Sequence, residues 1–205
     1  MKVVLINPPT FATATTLAQE SVPPLGLAYV AAATRAAGHE VVVVDAVGSA
    51  LGQHRLYRPI PGTLLTGLSV PEIAARIPED AGVIGVSCMF SNAWPPVRDL
   101  LQSLRLAFPT AFVVLGGEHA TACADFVLRT CAAVDACVLG EGEAAFVALL
   151  RALEAGDDPA GVPGVAARGR DGKGATGTGC PGSGRAARIR AAMPDWCRWR
   201  GPSCP

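Results

Sequence analysis

Five short, almost uninterrupted apolar runs constrain this chain more than any other feature. They lie at residues 3–6, 40–44, 83–87, 112–115 and 136–139. Each is short enough for a strand and rich in Val, Ile or Leu rather than alternating with polar residues. Between them fall segments with helical spacing, at 25–37, 70–76, 96–108 and 121–132, and another follows at 143–153. Leu27, Val30, Ala31 and Thr34 share one face of the first, and Gly38 stands where a helix C-terminus takes glycine. Pro71 sits in the first turn of the second. Val97, Leu100, Leu101 and Leu104 mark the third. Strands apolar on both faces need cover on both faces. That predicts a doubly wound α/β fold with a five-stranded parallel sheet, and right-handed crossovers favour the flavodoxin-like order 2-1-3-4-5. Such sheets bind ligands beyond the carboxyl ends of their strands, so the loops that follow the strands carry the functional expectation.

Those loops are unusual. The first strand runs into Asn7, Pro8 and Pro9, whose fixed φ stiffens the chain, and a second proline pair stands at Pro23-Pro24. The loop between them, residues 10–22, is either a rigid connection or one wall of a site. The third strand ends in Ser87, Cys88, Met89 and Phe90. Ser87 can offer a hydroxyl at the sheet edge. Met89 and Phe90 are costly to expose, so they mark an apolar ligand face, a partner domain, or a fold back onto the sheet. The fourth strand opens onto Gly116, Gly117, Glu118 and His119, the fifth onto Gly140, Glu141, Gly142 and Glu143. These two loops lie side by side and floor a groove with nearly bare backbone. Glu143 suits the first turn of a helix, where a carboxylate meets the dipole. Glu118 and His119 form an acid–base pair only if they converge, and adjacent residues leaving a strand point apart.

Several classes are set aside. Lys plus Arg equals Asp plus Glu at 17 each, so charge gives no reason to expect nucleic acid or an anionic membrane. No apolar run approaches the roughly 20 residues that span a bilayer. The first apolar run is too short for a signal peptide, and the reading is cytoplasmic. The seven cysteines show no C-x-x-C pair. No G-x-G-x-x-G follows the first strand, no phosphate-binding P-loop is present, and that strand ends without the carboxylates of a phospho-receiver domain.

Taken in order, Leu5-Ile6-Asn7-Pro8-Pro9, Pro23-Pro24-Leu25-Gly26-Leu27-Ala28-Tyr29, Ala37-Gly38-His39-Glu40-Val41, Gly85-Val86-Ser87, Val114 to Thr121 and Leu139-Gly140-Glu141-Gly142-Glu143 resemble the N-terminal cobalamin-binding domain of B12-dependent radical SAM proteins. The resemblance covers residues 1–168. It implies a cobalamin-binding module at the carboxyl end of the sheet. It also implies cofactor contacts from Asn7, Pro8, Pro9, Ser87, Cys88, Met89, Gly116, Gly117, Glu118, His119, Gly140, Glu141 and Gly142. The nucleotide tail would pass Ser87 and the paired glycines, which would clear space for its benzimidazole.

Two departures shape the expectation. The D-x-H-x-x-G motif, which supplies a histidine to cobalt in methionine-synthase-like domains, is replaced by Asn7-Pro8-Pro9-Thr10. Bound cobalamin is therefore expected base-off, without a histidine from that loop. His119 is read as a partly exposed loop residue rather than a substitute ligand. The C-x-x-x-C-x-x-C triplet that holds a [4Fe–4S] cluster beside S-adenosylmethionine (SAM) is also absent, and Cys180, Cys197 and Cys204 lack its spacing. The chain is thus expected to be catalytically incomplete alone, truncated before a radical SAM barrel that a longer parent or a partner would supply. Exposed Met89, Phe90 and Trp94 would face that barrel. Residues 169–205, rich in Gly and Arg, are expected to be a poorly ordered tail. Residues 162–167 could add a small strand. The competing class is a flavodoxin-like scaffold that has lost its ligand.

Overall fold

The computed structural model describes residues 1–13, 22–168 and 175–176. In chain order the elements are β1 (Lys2–Asn7), β2 (Thr10–Thr13), α1 (Leu25–Ala36), β3 (Glu40–Asp45), β4 (His54–Leu56), β5 (Thr63–Thr66), α2 (Val70–Ala74) and β6 (Val83–Ser87). They continue with α3 (Trp94–Ala107), β7 (Phe112–Gly116), α4 (Glu118–Thr130), β8 (Ala136–Val138), α5 (Gly142–Ala155), β9 (Val165–Arg168) and β10 (Ala175–Thr176). The five predicted strands pair in parallel in the order β3-β1-β6-β7-β8, which is 2-1-3-4-5. Two short antiparallel strands, β9 and β10, extend the β8 edge.

The pleat explains why the strands are apolar throughout. Successive residues point to opposite faces. Val4, Ile6, Ile84, Val86, Val113 and Leu115 enter one core, with Val97, Leu100, Leu101 and Leu104 of α3 and Val127 and Leu128 of α4. Val3, Leu5, Val83, Val114, Ala136 and Val138 enter the other, with Ala31 of α1 and Phe146, Leu149 and Leu150 of α5. Each buried Leu or Val contributes about 1.5–3 kcal/mol relative to exposure. Arg105 on α3 fixes the amino ends of β7 and β8. It donates to the carbonyls of Ala111 (2.7 Å) and Ala133 (3.1 Å) and pairs with Asp135, which in turn accepts the Val113 N–H at 2.7 Å.

Three features depart from the sequence reading. A three-stranded antiparallel sheet, β2-β5-β4, forms from residues that showed no strand pattern. Tyr57 ties its loop to α3 through Asp99 at 2.5 Å, and Arg55 holds the carbonyls of Gly67 and Leu68. Helix α4 begins at Glu118, not 121, because Gly117 turns the chain sharply enough to start it there. Trp94 is buried at 7 % exposure as the first residue of α3, so it does not join Met89 and Phe90 on the surface. The expected tail, 169–205, with Cys180, Cys197 and Cys204, lies outside the described residues except for Ala175–Thr176, as do residues 14–21 of the loop after the first strand. Among the described residues no helix is long and apolar enough to cross a membrane.

Candidate functional site

At the carboxyl ends of β1, β6, β7 and β8, on the side covered by α1 and α5, the fold leaves a cavity of about 660 Å³. That lies within the usual range of small-molecule sites, roughly 300–1,000 Å³. The same pleat that separates the cores decides which loop residues reach it. Leu5, Gly85 and Val114 lie on the cavity face, so Asn7, Ser87 and Gly116, each two residues on, do as well. Ser87 pairs with Gly116 in register. Asn7 is oriented by its Nδ2, which donates to Asp45 Oδ1 at 2.8 Å across the β1–β3 pair.

The floor is apolar: Leu5, Val30, Val114, Val138 and Phe146. Gly85 lies within it, in mid-strand. A Cβ there would stand 2.8 Å from Leu5 Cδ2 and 3.7 Å from the Phe146 ring, so any side chain would displace Leu5 or fill the floor. Pro23 to Leu27 at the start of α1 make one wall, and Gly140 to Glu143 at the start of α5 the other. At the mouth stand Met89 and Phe90, 50 % and 71 % exposed.

The two glycines after β7 serve different ends. Gly117 has φ +98, and a Cβ on it would lie 2.6 Å from the Cys88 carbonyl oxygen. Its missing side chain lets the β6 and β7 loops touch: the Cys88 N–H donates to Gly116 O at 2.8 Å and the His119 N–H to Cys88 O at 3.1 Å. Gly116 is different. A Cβ there meets nothing within 4 Å and opens onto the cavity.

Thr121 joins the two glycine loops. Its hydroxyl donates to Gly117 O (3.1 Å) and accepts the Gly140 N–H (2.9 Å). Thr121→Val is expected to lose about 1 kcal/mol and to speed hydrogen exchange at the Gly140 amide. Thr121→Ser should keep both near native. Urea denaturation and amide exchange of the three chains check this, and a Val variant with native Gly140 protection would refute the clip.

Of the residues predicted for the site, Asn7, Ser87, Met89, Gly116, Gly117, Glu118, Gly140, Glu141 and Gly142 line the cavity. Pro8, Pro9, Cys88 and His119 do not. Cys88 follows Ser87 and therefore faces the opposite core, where burial pushes its thiol up to about 12. The reading of His119 as a partly exposed loop residue is corrected. It lies in the first turn of α4 and is 4 % exposed. Its Nδ1 is 2.9 Å from Ser91 Oγ and its ring lies 5.0 Å from Trp94. Burial lowers its pKa, and its Nε2 has no partner among the described residues. Glu118 is exposed at the cavity, so the two side chains diverge. The floor residues went unpredicted, although Gly85 inside an otherwise β-branched strand was a signal of close approach. No group of three His, Cys, Asp or Glu able to hold a metal occurs among the described residues.

Comparison with known proteins gives three results. A model of the B12-binding domain family, described as "B12 binding domain", matches residues 13–150. Among curated proteins, the cytidylyl-2-hydroxyethylphosphonate methyltransferase of Streptomyces wedmorensis is 35 % identical over 184 residues, covering 84 % of this chain and 32 % of that protein. The anaerobic magnesium-protoporphyrin IX monomethyl ester cyclase of a Synechocystis strain is 32 % identical over 168 residues, covering 82 % and 31 %. The chain thus spans about a third of the length of these relatives. Among solved structures, the radical S-adenosylmethionine methyltransferase TsrM from Kitasatospora setae superimposes with a TM-score of 0.64 at 20 % identity, over 88 % of this chain and 30 % of TsrM. The cobalamin-dependent S-adenosylmethionine radical enzyme OxsB does so at 0.64 and 12 %, over 92 % and 25 %. At these identities the two structures establish the shared fold.

Proposed function

Because the chain belongs to the B12-binding domain family, we propose that its cavity at the carboxyl end of the sheet is where it holds cobalamin, with the nucleotide tail inserted and the corrin ring at the mouth. The observation that carries this placement is the Gly-lined cradle. Gly116 at the lip leaves open space that a side chain would fill, while Gly85 and Gly142 let Leu5, Phe146 and Val30 pack close under the floor, a Cβ standing 2.8 Å from Leu5 Cδ2 at Gly85 and 3.2 Å from Val30 Cγ2 at Gly142. An apolar floor suits a planar heteroaromatic tail, while the Ser87 hydroxyl and the Asn7 amide offer hydrogen bonds nearer the opening. Pro8, Pro9, Cys88 and His119 act behind this lining: Cys88 and His119 brace the loop through their backbone bonds.

Cobalamin, when bound, supplies a cobalt centre that can carry a methyl group. No histidine lines the cavity among the described residues, and the loop after β1 reads Asn7-Pro8-Pro9-Thr10. With its nucleotide tail inserted in the cavity, bound cobalamin would be base-off, and no histidine of the described lining would take the place of its base. In this reading residues 1–168 form the cofactor-holding unit of a B12-dependent radical SAM methyltransferase-like protein. The iron–sulfur cluster and S-adenosylmethionine belong to a barrel in a longer parent chain or a partner. Met89 and Phe90, exposed at the cavity mouth, face that barrel.

A visible absorption titration with hydroxocobalamin and methylcobalamin tests the reading. The expected result is cofactor retained through desalting and a base-off spectrum for bound methylcobalamin. A folded chain that retains none would leave a scaffolding domain. A base-on spectrum would place the tail outside the cavity.

A further inference from the structure

The cavity is electrically one-sided. Glu118, Glu141 and Glu143 line it, and no Lys, Arg or His does so among the described residues. The three carboxylates come from the two glycine loops that flank the opening: Glu118 starts α4, Glu141 is the residue before α5, and Glu143 lies in its first turn. None of the three has an ion-pair or side-chain hydrogen-bond partner among the described residues. The remaining polar lining is neutral: Asn7, Thr10 and Ser87.

We infer that these carboxylates select the amidation state of the corrinoid, admitting a ring whose peripheral groups are primary amides and rejecting one that carries carboxylates. The inference rests on the cobalamin reading above. A primary amide presents N–H donors, and a carboxylate at the rim accepts them in charge-assisted bonds. A peripheral carboxylate presents no donor and meets like charge, with no Lys, Arg or His on the lining among the described residues to offset it. At contact distance near a protein surface, such repulsion is large enough to outweigh the loss of a hydrogen bond. The phosphodiester of the tail is common to both kinds of ligand and so cancels in the comparison. The selection is a property of the rim, whereas the tail and the apolar floor serve both ligands equally.

The test compares hydroxocobalamin with its side-chain tricarboxylic acid, in which three peripheral amides have been hydrolysed and the tail is intact. Equilibrium binding is followed by absorbance in the native chain and in the Glu118→Gln/Glu141→Gln/Glu143→Gln variant, with circular dichroism to confirm folding. Native protein is expected to bind the acid at least about tenfold more weakly than hydroxocobalamin. In the variant the gap should fall below about threefold, and rising salt should narrow the native gap in the same direction. Equal affinity of the native chain for both ligands overturns the inference while leaving the cobalamin reading in place. So does a tenfold gap that survives in the variant. Failure to bind hydroxocobalamin at all overturns both. If the triple variant does not fold, the single Gln variants are compared, and a native gap unchanged in all three counts against the inference.

Discussion

A Gly116→Trp chain is expected to fold as the native one does and to bind cobalamin at least about 100-fold more weakly, a loss of roughly 2.7 kcal/mol. Gly116 is the last residue of β7, paired with Ser87, and its φ lies outside the positive region that only glycine enters readily. A side chain there meets no atom within 4 Å of its Cβ. The fold therefore loses little, on the order of 0.5 kcal/mol, as for other substitutions that disturb no packing. By the strand alternation the new side chain projects to the Val114 face, into the space assigned to the nucleotide tail. Thermal melting and the cobalamin titration read the two effects separately. A stable Trp variant that binds with native affinity would show that the tail lies elsewhere.

The short, continuous apolar runs carried most of the fold, and the alternation of side chains along a strand carried part of the site. Runs with no polar face need cover on both sides, which predicts the five parallel strands, and right-handed crossovers favour their order. The same alternation, followed to the last residue of each strand, selects Asn7, Ser87 and Gly116 for the cavity, and one residue further sends Cys88 to the opposite core. Reading Ser87, Cys88 and Met89 as one contiguous site ignored that alternation. His119 was misplaced for a related reason. A helix that starts at Glu118 directs consecutive residues about 100° apart, so Glu118 stays at the cavity while His119 turns under Trp94.

The small sheet was illegible because nothing local makes it. His54–Leu56 and Thr63–Thr66 are three and four residues long and mix polar with apolar positions. Their strands exist through pairing with each other and with Thr10–Thr13, and through Arg55 and Tyr57 reaching distant partners. Such context overrides strand propensity in either direction. The cavity floor was hidden likewise. Phe146 is a helix residue with ordinary core spacing, and nothing local shows that its ring comes to lie against Gly85 on the cavity face of the sheet.

Gly117→Ala should give the opposite phenotype to Gly116→Trp, though it adds a single methyl group. At φ +98 and ψ 178 the backbone occupies a region essentially reserved for glycine. The added Cβ would also stand 2.6 Å from Cys88 O and 2.9 Å from Cys88 C, which are backbone atoms that cannot swing aside. Relief requires separating the β6 and β7 loops. That sacrifices the Cys88 N–H to Gly116 O bond between the strand ends and the His119 N–H to Cys88 O bond at the start of α4. Backbone strain and two weakened hydrogen bonds together predict a loss of about 2–4 kcal/mol. For a chain of this size that lowers the melting temperature by roughly 5–15 °C. The molecules that remain folded keep the cavity space at Gly116, so cobalamin affinity falls far less than in the Trp variant. Added cobalamin should in turn raise the melting temperature of the Ala variant by mass action. Urea unfolding with and without cobalamin separates the two glycines: one excludes the ligand, the other holds the loops that receive it. An Ala variant as stable as the native chain would mean that the loops do not meet at Cys88. The bracing role given to Cys88 and His119 would then fall with it.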